Sequence, residues 1–477
     1  MSKTIDTDLC IIGAGSGGLS VAAGAAQLGK NVVLIEHGKM GGDCLNYGCV
    51  PSKALLTAAS VAQSIRKGSD FGIHTSTPKI DYGAAMDHVH RAIATIAPHD
   101  SQERFEGLGC IVLRDTAKFT GPRQVTAGNT VINAKFIIVA TGSSPFVPPI
   151  PGIEDVPYLT NETLFENRTQ PDHLLVVGGG PIGVEMAQAH ARLGSKVTLI
   201  EAAPSIMGND DPELVAVVRE TLSQEGITIL ENTKAKAVSQ STDGVISVNL
   251  DGNGPKTISG SHLLMAVGRR ANIDKLDLAA AGINSNGRGI EVNDFLQTAN
   301  DRVYAIGDVA GGLQFTHVAG YHASLIIRNL LFKLSKGRNK ASEISPWVTY
   351  CDPELAHVGM SEEKAREAGE TISVQRWSFE ENDRAIAEAG TAGLVKVITA
   401  KNGKILGASI VGKNAGDLIQ PWALAVANGR KIRDFTNYIA PYPTRGEASK
   451  RVAGAFFTET LFSKRTKSVV KLLSLFD

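Results

Sequence analysis

The sequence has no surplus of either charge: 48 lysines and arginines stand against 48 aspartates and glutamates in 477 residues. That balance gives no composition-level ground for binding nucleic acid, which asks for a basic surface. No run of uncharged apolar residues approaches the roughly 20 that cross a bilayer. The opening residues, Met1 to Asp8, carry neither the apolar core of a signal peptide nor an Arg-rich transit segment, so a cytoplasmic protein is expected. Cysteine is scarce, with five residues, too few for a disulfide scaffold. Three of them, Cys10, Cys110 and Cys351, stand alone among apolar or mixed neighbours and read as buried structural thiols. What remains is an ordinary globular composition, 20% charged and 43% hydrophobic, long enough for two to four domains with full cores.

Within that bland composition one module occurs twice. The apolar run Leu9-Cys10-Ile11-Ile12 leads into Gly13-Ala14-Gly15-Ser16-Gly17-Gly18, a helical stretch to about Gly29, and a second strand, Val32 to Ile35, ending at Glu36. Later, Leu174 to Val177 leads into Gly178-Gly179-Gly180-Pro181-Ile182-Gly183, a helix to about Leu193, and the strand Val197 to Ile200, ending at Glu201. In both copies the acid lies 23 positions after the first glycine. The first glycine (Gly13, Gly178) permits a tight strand-to-helix turn, and the second (Gly15, Gly180) lets a pyrophosphate approach the backbone. The third (Gly18, Gly183) packs helix on strand, and the acid accepts from a ribose hydroxyl. Unpaired N–H groups at the helix start face the phosphates. A single glycine loop is weak evidence, but the whole ordered unit recurs. Two dinucleotides are expected.

The segment Gly41-Gly42-Asp43-Cys44-Leu45-Asn46-Tyr47-Gly48-Cys49-Val50-Pro51-Ser52-Lys53 follows the first module. A disulfide between Cys44 and Cys49 closes so short a loop that it adds little stability through chain entropy. Strain over so few residues makes it reducible. A helix beginning near Cys44 favours thiolate at that end. The alternatives are a reduced buried pair or a metal site, but His37 is the only further ligand nearby and does not complete a zinc set. Redox chemistry is the better reading, and no metal site is expected.

These pieces constrain one another. A nicotinamide delivers hydride, whereas a disulfide is reduced by thiol exchange; a flavin connects the two. The first module, leading directly into the cysteines, is therefore the FAD site, and the second takes NAD(P)H. No arginine follows Glu201 until Arg219. An acid here suits a free 2′-hydroxyl and opposes a 2′-phosphate, so NADH is expected over NADPH.

On these residues the sequence resembles the class I pyridine nucleotide–disulfide oxidoreductases, the family of dihydrolipoyl dehydrogenase, glutathione reductase and mercuric reductase. The likeness covers essentially the whole chain and is sharpest from Gly41 to Lys53. Ile137-Ile138-Val139-Ala140-Thr141-Gly142 resembles the family's strand-end contact to FAD. Val303-Tyr304-Ala305-Ile306-Gly307-Asp308 resembles its second FAD motif, with Asp308 on the ribityl chain. Met265-Ala266-Val267-Gly268-Arg269-Arg270-Ala271-Asn272 resembles the return from the NAD domain. The resemblance implies that Cys44 exchanges with substrate, that Cys49 faces the flavin as charge-transfer thiolate, and that Lys53 and Glu185 pair near its reactive nitrogen. It also implies an α/β fold of two Rossmann-like dinucleotide-binding domains plus a C-terminal α+β dimerisation domain. The implied boundaries are 1–150 and 269–340 for the FAD domain, 151–268 for the NAD domain and 341–477 for the interface domain. A homodimer whose second subunit completes the site is expected.

The pattern breaks near the C-terminus. Where the family's disulfide reductases have His-Pro-Thr and a downstream Glu, this chain reads Pro441-Tyr442-Pro443-Thr444-Arg445-Gly446-Glu447. Tyr442 replaces the histidine and Glu447 is kept. An unperturbed tyrosine has a pKa of about 10 against roughly 6.5 for histidine, so it is a poor base at neutral pH. Residues 430–477 contain no histidine; His317 and His322 are the candidate surrogates, although polar residues packed near the flavin explain them more simply. Mercuric reductases resemble this chain in having tyrosine there, but end in a cysteine pair, whereas this chain ends Leu472-Leu473-Ser474-Leu475-Phe476-Asp477.

Three functions follow in order of weight. The first is a dihydrolipoyl-dehydrogenase-like disulfide/thiol oxidoreductase with an unidentified thiol partner. The second is a metal-ion reductase in which Cys44 and Cys49 bind a soft cation and Tyr442 helps position it. The third is a low-turnover redox-sensing flavoprotein. Separately, Leu461 to Phe476 mixes apolar residues with Lys464, Arg465, Lys467 and Lys471. A tail of this kind more often packs on its own domain than rests on an anionic membrane.

Overall fold

The computed structural model describes residues 3–332 and 337–476. The chain separates into two compact units. One comprises the residues through Arg66, Thr75–Ala202 and Thr228–Ser342; the other comprises Lys67–His74, Ala203–Ile227 and the chain from Glu343.

In the first unit, β1 (Lys3–Ile12), α1 (Ser16–Gln27) and β2 (Val32–Ile35) form the first glycine module. Helices α2 (Gly42–Asn46) and α3 (Cys49–Arg66) follow, then β3 (Ile111–Leu113), β4 (Ala117–Gly121), β5 (Gln124–Ala127) and β6 (Thr130–Val139). The strands order as β3-β2-β1-β6-β5-β4. Strand β6 is shared along its length, pairing with β5 through Thr130–Asn133 and with Val303–Ala305 through Ile137–Val139. Alternate residues of β1 enter different cores: Cys10 and Ile12 face one, Leu9 and Ile11 the other. Burial on both faces is why these strands read as continuous apolar runs. Strand β1 starts six residues before the apolar run because β6 is long enough to pair with all of it, from Lys3 opposite Thr130 to Ile12 opposite Val139.

The second module forms its own parallel sheet. Strand β7 (His173–Val177), α4 (Pro181–Arg192) and β8 (Lys196–Ile200) are joined by β9 (Thr228–Leu230) and β10 (His262–Met265), in the order β9-β8-β7-β10. The first unit closes with α5 (Thr316–Ile327), which packs on α1. Close approach is possible because a Cβ at Gly17 would sit 3.3 Å from the Ala319 Cβ, and one at Gly24 would sit 3.2 Å from Ile327 Cδ1.

The second unit is α+β. Strands β11 (Trp347–Thr349), β12 (Glu354–Gly359), β13 (Ile372–Ser378), β14 (Leu394–Ala400) and β15 (Ile405–Gly412) form an antiparallel sheet ordered β11-β12-β15-β14-β13. Helices α6 (Gln420–Ala427), α7 (Glu447–Leu461) and α8 (Lys464–Leu473) follow. Trp422 is fully buried, stacks on Phe435 and donates from Nε1 to Ser449. Residues 203–227 belong to this unit through a buried ion cluster: Lys396 Nζ lies 2.6 Å from Asp211 and 3.0 Å from both Glu213 and Glu362. Cys10, Cys110 and Cys351 are buried, as their isolation suggested. No helix among the described residues is long and apolar enough to cross a membrane.

Candidate redox-active site

The two glycine loops have the same atomic anatomy. Gly13 and Gly178 take φ of +106° and +109°, and a Cβ on either would lie 2.3 Å from a carbonyl oxygen, that of Ala140 or Ala266. A Cβ on Gly18 or Gly183 would lie 1.9 Å from the carbonyl of the first glycine. The middle glycines differ: around Gly180 a Cβ would meet nothing within 4 Å, and around Gly15 only Gly42 Cα at 3.9 Å. The first and third glycines are thus demanded by packing, while the second borders open space where a pyrophosphate can approach. The acids complete the match. Glu36 accepts from the Ala14 N–H at 2.7 Å and Glu201 from the Gly179 N–H at 2.6 Å, each the residue after the first glycine. Each carboxylate is thereby held against its own glycine loop. These cradles suit FAD in the first module and a nicotinamide dinucleotide in the second.

The crossings between modules are clasped together. Thr141 Oγ1 donates to the Asn272 carbonyl at 2.7 Å, and the Asn272 amide returns a bond to the Thr141 carbonyl at 3.0 Å. Gly142 and Gly268 both have positive φ, with nothing within 4 Å of an added Cβ. Asp308 accepts from Ser143 Oγ at 2.6 Å, and burial pushes its carboxyl above the usual carboxylate range.

The cysteines lie on different helices, Cys44 in the short α2 and Cys49 at the start of α3, and both are thiols in this structure. The sequence expectation of a helix favouring thiolate at Cys44 is not what the structure supports. The Cys49 thiol is pulled down to about 6 by the hydrogen bond from Cys44, helped by Thr316 and the Lys53 charge, against burial and Glu185. Cys44, as the donor and partly buried, is pushed far up. The surroundings act on the two sulfurs in opposite directions, lowering the Cys49 thiol and raising that of Cys44.

Lys53, on α3, lies 2.9 Å from Glu185 Oε2 on α4, so this ion pair bridges the two modules beside the sulfurs. Thr316 was not singled out from the sequence; its Oγ1 is 3.5 Å from Cys49 Sγ across 267 positions of chain. Its only sequence signal is its place opening a helix just after the Asp308 motif. A second group joins two motif residues that the sequence left without a role, Asp43 and Arg269, to two it did not single out, Ser143 and Asn161. Arg269 donates to Ser143 and pairs with Asp43 at 3.0 Å, while Asn161 donates to Asp43 and to the Tyr47 carbonyl. Through these bonds the residues flanking Cys44 are tied to the Ser143–Asp308 contact.

Of the two histidines, buried His322 accepts from the Gly307 N–H through Nδ1, and burial lowers its pKa. It braces the turn before Asp308. His317 is exposed on the first turn of α5 and stacks on Phe315. Tyr442 and Glu447 fall in the second unit, the cysteine pair in the first. Tyr442 donates to Asp383 at 2.9 Å, and that carboxylate pushes the phenol further up. Glu447 begins α7 and pairs with Arg451 at 2.9 Å. Among the described residues no group of three or more His, Cys, Asp or Glu is arranged to hold a metal ion.

A fold with two dinucleotide cradles converging on a dithiol defines a flavoprotein disulfide reductase. Residues 7–323 match the family model of pyridine nucleotide-disulphide oxidoreductases, and residues 345–453 match that family's dimerisation domain; the chain belongs to this family, whose members use FAD and NAD(P)H. It is 35% identical to a mercuric reductase of Lysinibacillus sphaericus, over 94% of this chain and 82% of that one. It is 36% identical to a dihydrolipoyl dehydrogenase of Thermus scotoductus, over 95% and 98% of the two chains. Among solved structures it is similar to the Cu(II) complex of the HOCl-induced flavoprotein disulfide reductase RclA from Escherichia coli. The TM-score is 0.84 at 27% identity, covering 94% of this chain and 99% of that one.

Proposed function

We infer that this enzyme reduces a disulfide substrate with electrons from NADH, through Cys44 and Cys49, as one of two identical subunits. When bound, FAD supplies the conversion of hydride into the electron pair that regenerates the dithiol. The observation carrying the reading is the placement of Cys44 and Cys49 directly after the first glycine module, with Lys53 on the helix that Cys49 begins paired at 2.9 Å to Glu185 of the second. Cys44 attacks one substrate sulfur, passing its proton to Cys49, and the first substrate thiolate leaves. Cys49, giving that proton up to the departing thiolate, then attacks Cys44, and the second substrate thiolate leaves. Two electrons pass to the substrate and the enzyme is left with the Cys44–Cys49 disulfide; of the two protons the substrate thiols take up, one comes from Cys44 and the other from solvent. Lys53 and Glu185 hold the first turns of α3 against α4 while this happens. Glu201, with no nearby arginine following it in sequence, supports NADH over NADPH.

A second reading is supported by Tyr442. Disulfide reduction consumes protons, and a tyrosine held to Asp383 is a poor donor and acceptor at neutral pH. Transfer of electrons to a soft metal ion consumes none, and two thiols suit such an ion. The mercuric reductase relatives and the Cu(II) complex of RclA point the same way. Anaerobic protein reduced with NADH, then challenged with dihydrolipoamide-type disulfides and separately with Hg(II) and Cu(II), tests both. Reoxidation by a disulfide supports the first reading, and reoxidation by metal alone replaces it with the second. If NADPH reduces the protein better than NADH, the cofactor assignment fails.

A further inference from the structure

The C-terminal tail plays no part in the redox chemistry above, and it lies past residue 453, where the match to the dimerisation domain ends. Helix α8 is capped by Ser463, whose side chain accepts from the Thr466 N–H, and none of its residues is buried. At about 100° per residue, Val469, Leu472 and Leu473 share one face, with Arg465 on its first turn in line with Leu472. Lys464, Lys467 and Lys471 share the opposite one. Leu473 is 61% exposed and Phe476 83% exposed, and Leu461 and Phe462 just before the helix are exposed as well.

Charge selects the occupant. From Leu461 to Phe476 there are four cations and no acid, in a chain otherwise balanced between the two signs. The face is short, its apolar side chains are exposed, its cations are unopposed by any acid within the segment, and it lies outside the matched dimerisation domain. It matches what lies flat at a bilayer surface, with apolar side chains among the acyl chains and lysines at the headgroups. Anionic headgroups answer the local positive charge.

We propose that Leu461–Phe476 docks the enzyme on the surface of an anionic phospholipid bilayer without crossing it. The proposal does not depend on which substrate the dithiol reduces. Flotation of the FAD-loaded full chain with phosphatidylglycerol/phosphatidylcholine vesicles, and with pure phosphatidylcholine vesicles, tests it. The protein should float with the anionic vesicles and remain behind with the neutral ones. Lys464→Ala, Lys467→Ala and Lys471→Ala should each weaken partitioning roughly fivefold, and Leu472→Asp/Leu473→Asp should abolish it. All these variants should retain flavin and the wild-type rate of NADH oxidation. Failure of the full chain to float, or equal flotation with neutral vesicles, overturns the proposal. So does conversion of a dimer to monomer by Leu472→Asp/Leu473→Asp with flotation unchanged, which would assign the stripe to a second copy of the chain.

Discussion

Lys53 Nζ and Glu185 Oε2 lie 2.9 Å apart although 132 positions separate them in the chain, and they join the helix that follows the redox cysteines to the helix of the second glycine module. Glu185 is almost fully buried, whereas about a third of Lys53 is exposed. Loss of the lysine strands a buried carboxylate. Lys53→Ala is expected to cost about 1–2 kcal/mol, less than a fully buried pair because solvent screens the lysine. The double variant Lys53→Ala/Glu185→Ala should cost less than the sum of the singles. Denaturant titration of the flavin-loaded proteins measures both, and strict additivity would mean the pair contributes no coupling.

Thr316 supports the Cys49 thiolate through its hydroxyl. Thr316→Val preserves shape and removes the donor, so the Cys49 pKa should rise. A hydrogen bond of about 0.5–1.5 kcal/mol corresponds to a fall of roughly 2- to 10-fold in the Cys49 ionisation constant. Thr316→Ser should restore it. An unaltered midpoint in the valine variant would remove Thr316 from the site.

The pH dependence follows from the direction of the Cys49 shift. Its thiol is lowered to about 6, so it is ionised above that value and protonated below it. The absorbance of a thiolate beside an oxidised flavin should therefore be full at neutral pH and fade as pH falls through about 6. Cys49→Ser should lack the band, while Cys44→Ala should keep it with a raised midpoint, because the strongest hydrogen bond to Cys49 is lost. A band that persists in Cys49→Ser would assign the thiolate to Cys44.

Tyr442→His places a group of pKa about 6.5 where the phenol is held far above neutrality by Asp383. If proton transfer limits disulfide turnover, the rate near pH 7 should rise roughly tenfold or more, with a new ionisation in the pH–rate profile. Metal-ion reduction should be indifferent to the change. A disulfide rate that stays flat across pH would show that the substrate pocket, rather than the base, has diverged.

The glycine loops were legible because backbone geometry restricts them to one residue type: a Cβ at Gly13, Gly18, Gly178 or Gly183 has nowhere to go, so the pattern must be written in the sequence. The acids Glu36 and Glu201 were legible for a similar reason, each fixed at the end of a strand a set distance from its loop. Cys44 and Cys49 announced themselves by proximity. Lys53 and Glu185 were visible only through family resemblance, since neither residue type is unusual where it stands. Thr316 and Asn161 carried no local signal, and Asp43 and Arg269 stood inside motifs without a role, because their partners lie on distant segments.

By itself, the sequence determined two dinucleotide modules, a reactive sulfur pair and a missing histidine, since each is a local requirement of backbone or bond chemistry. Why Cys49 is the sulfur pulled toward thiolate, which the resemblance implied and the local helix argument did not, is explained only in three dimensions. The hydrogen bond from Cys44, the Thr316 hydroxyl and the Lys53 charge converge on Cys49 from separate elements, and a thiol's pKa is set by what surrounds it in space.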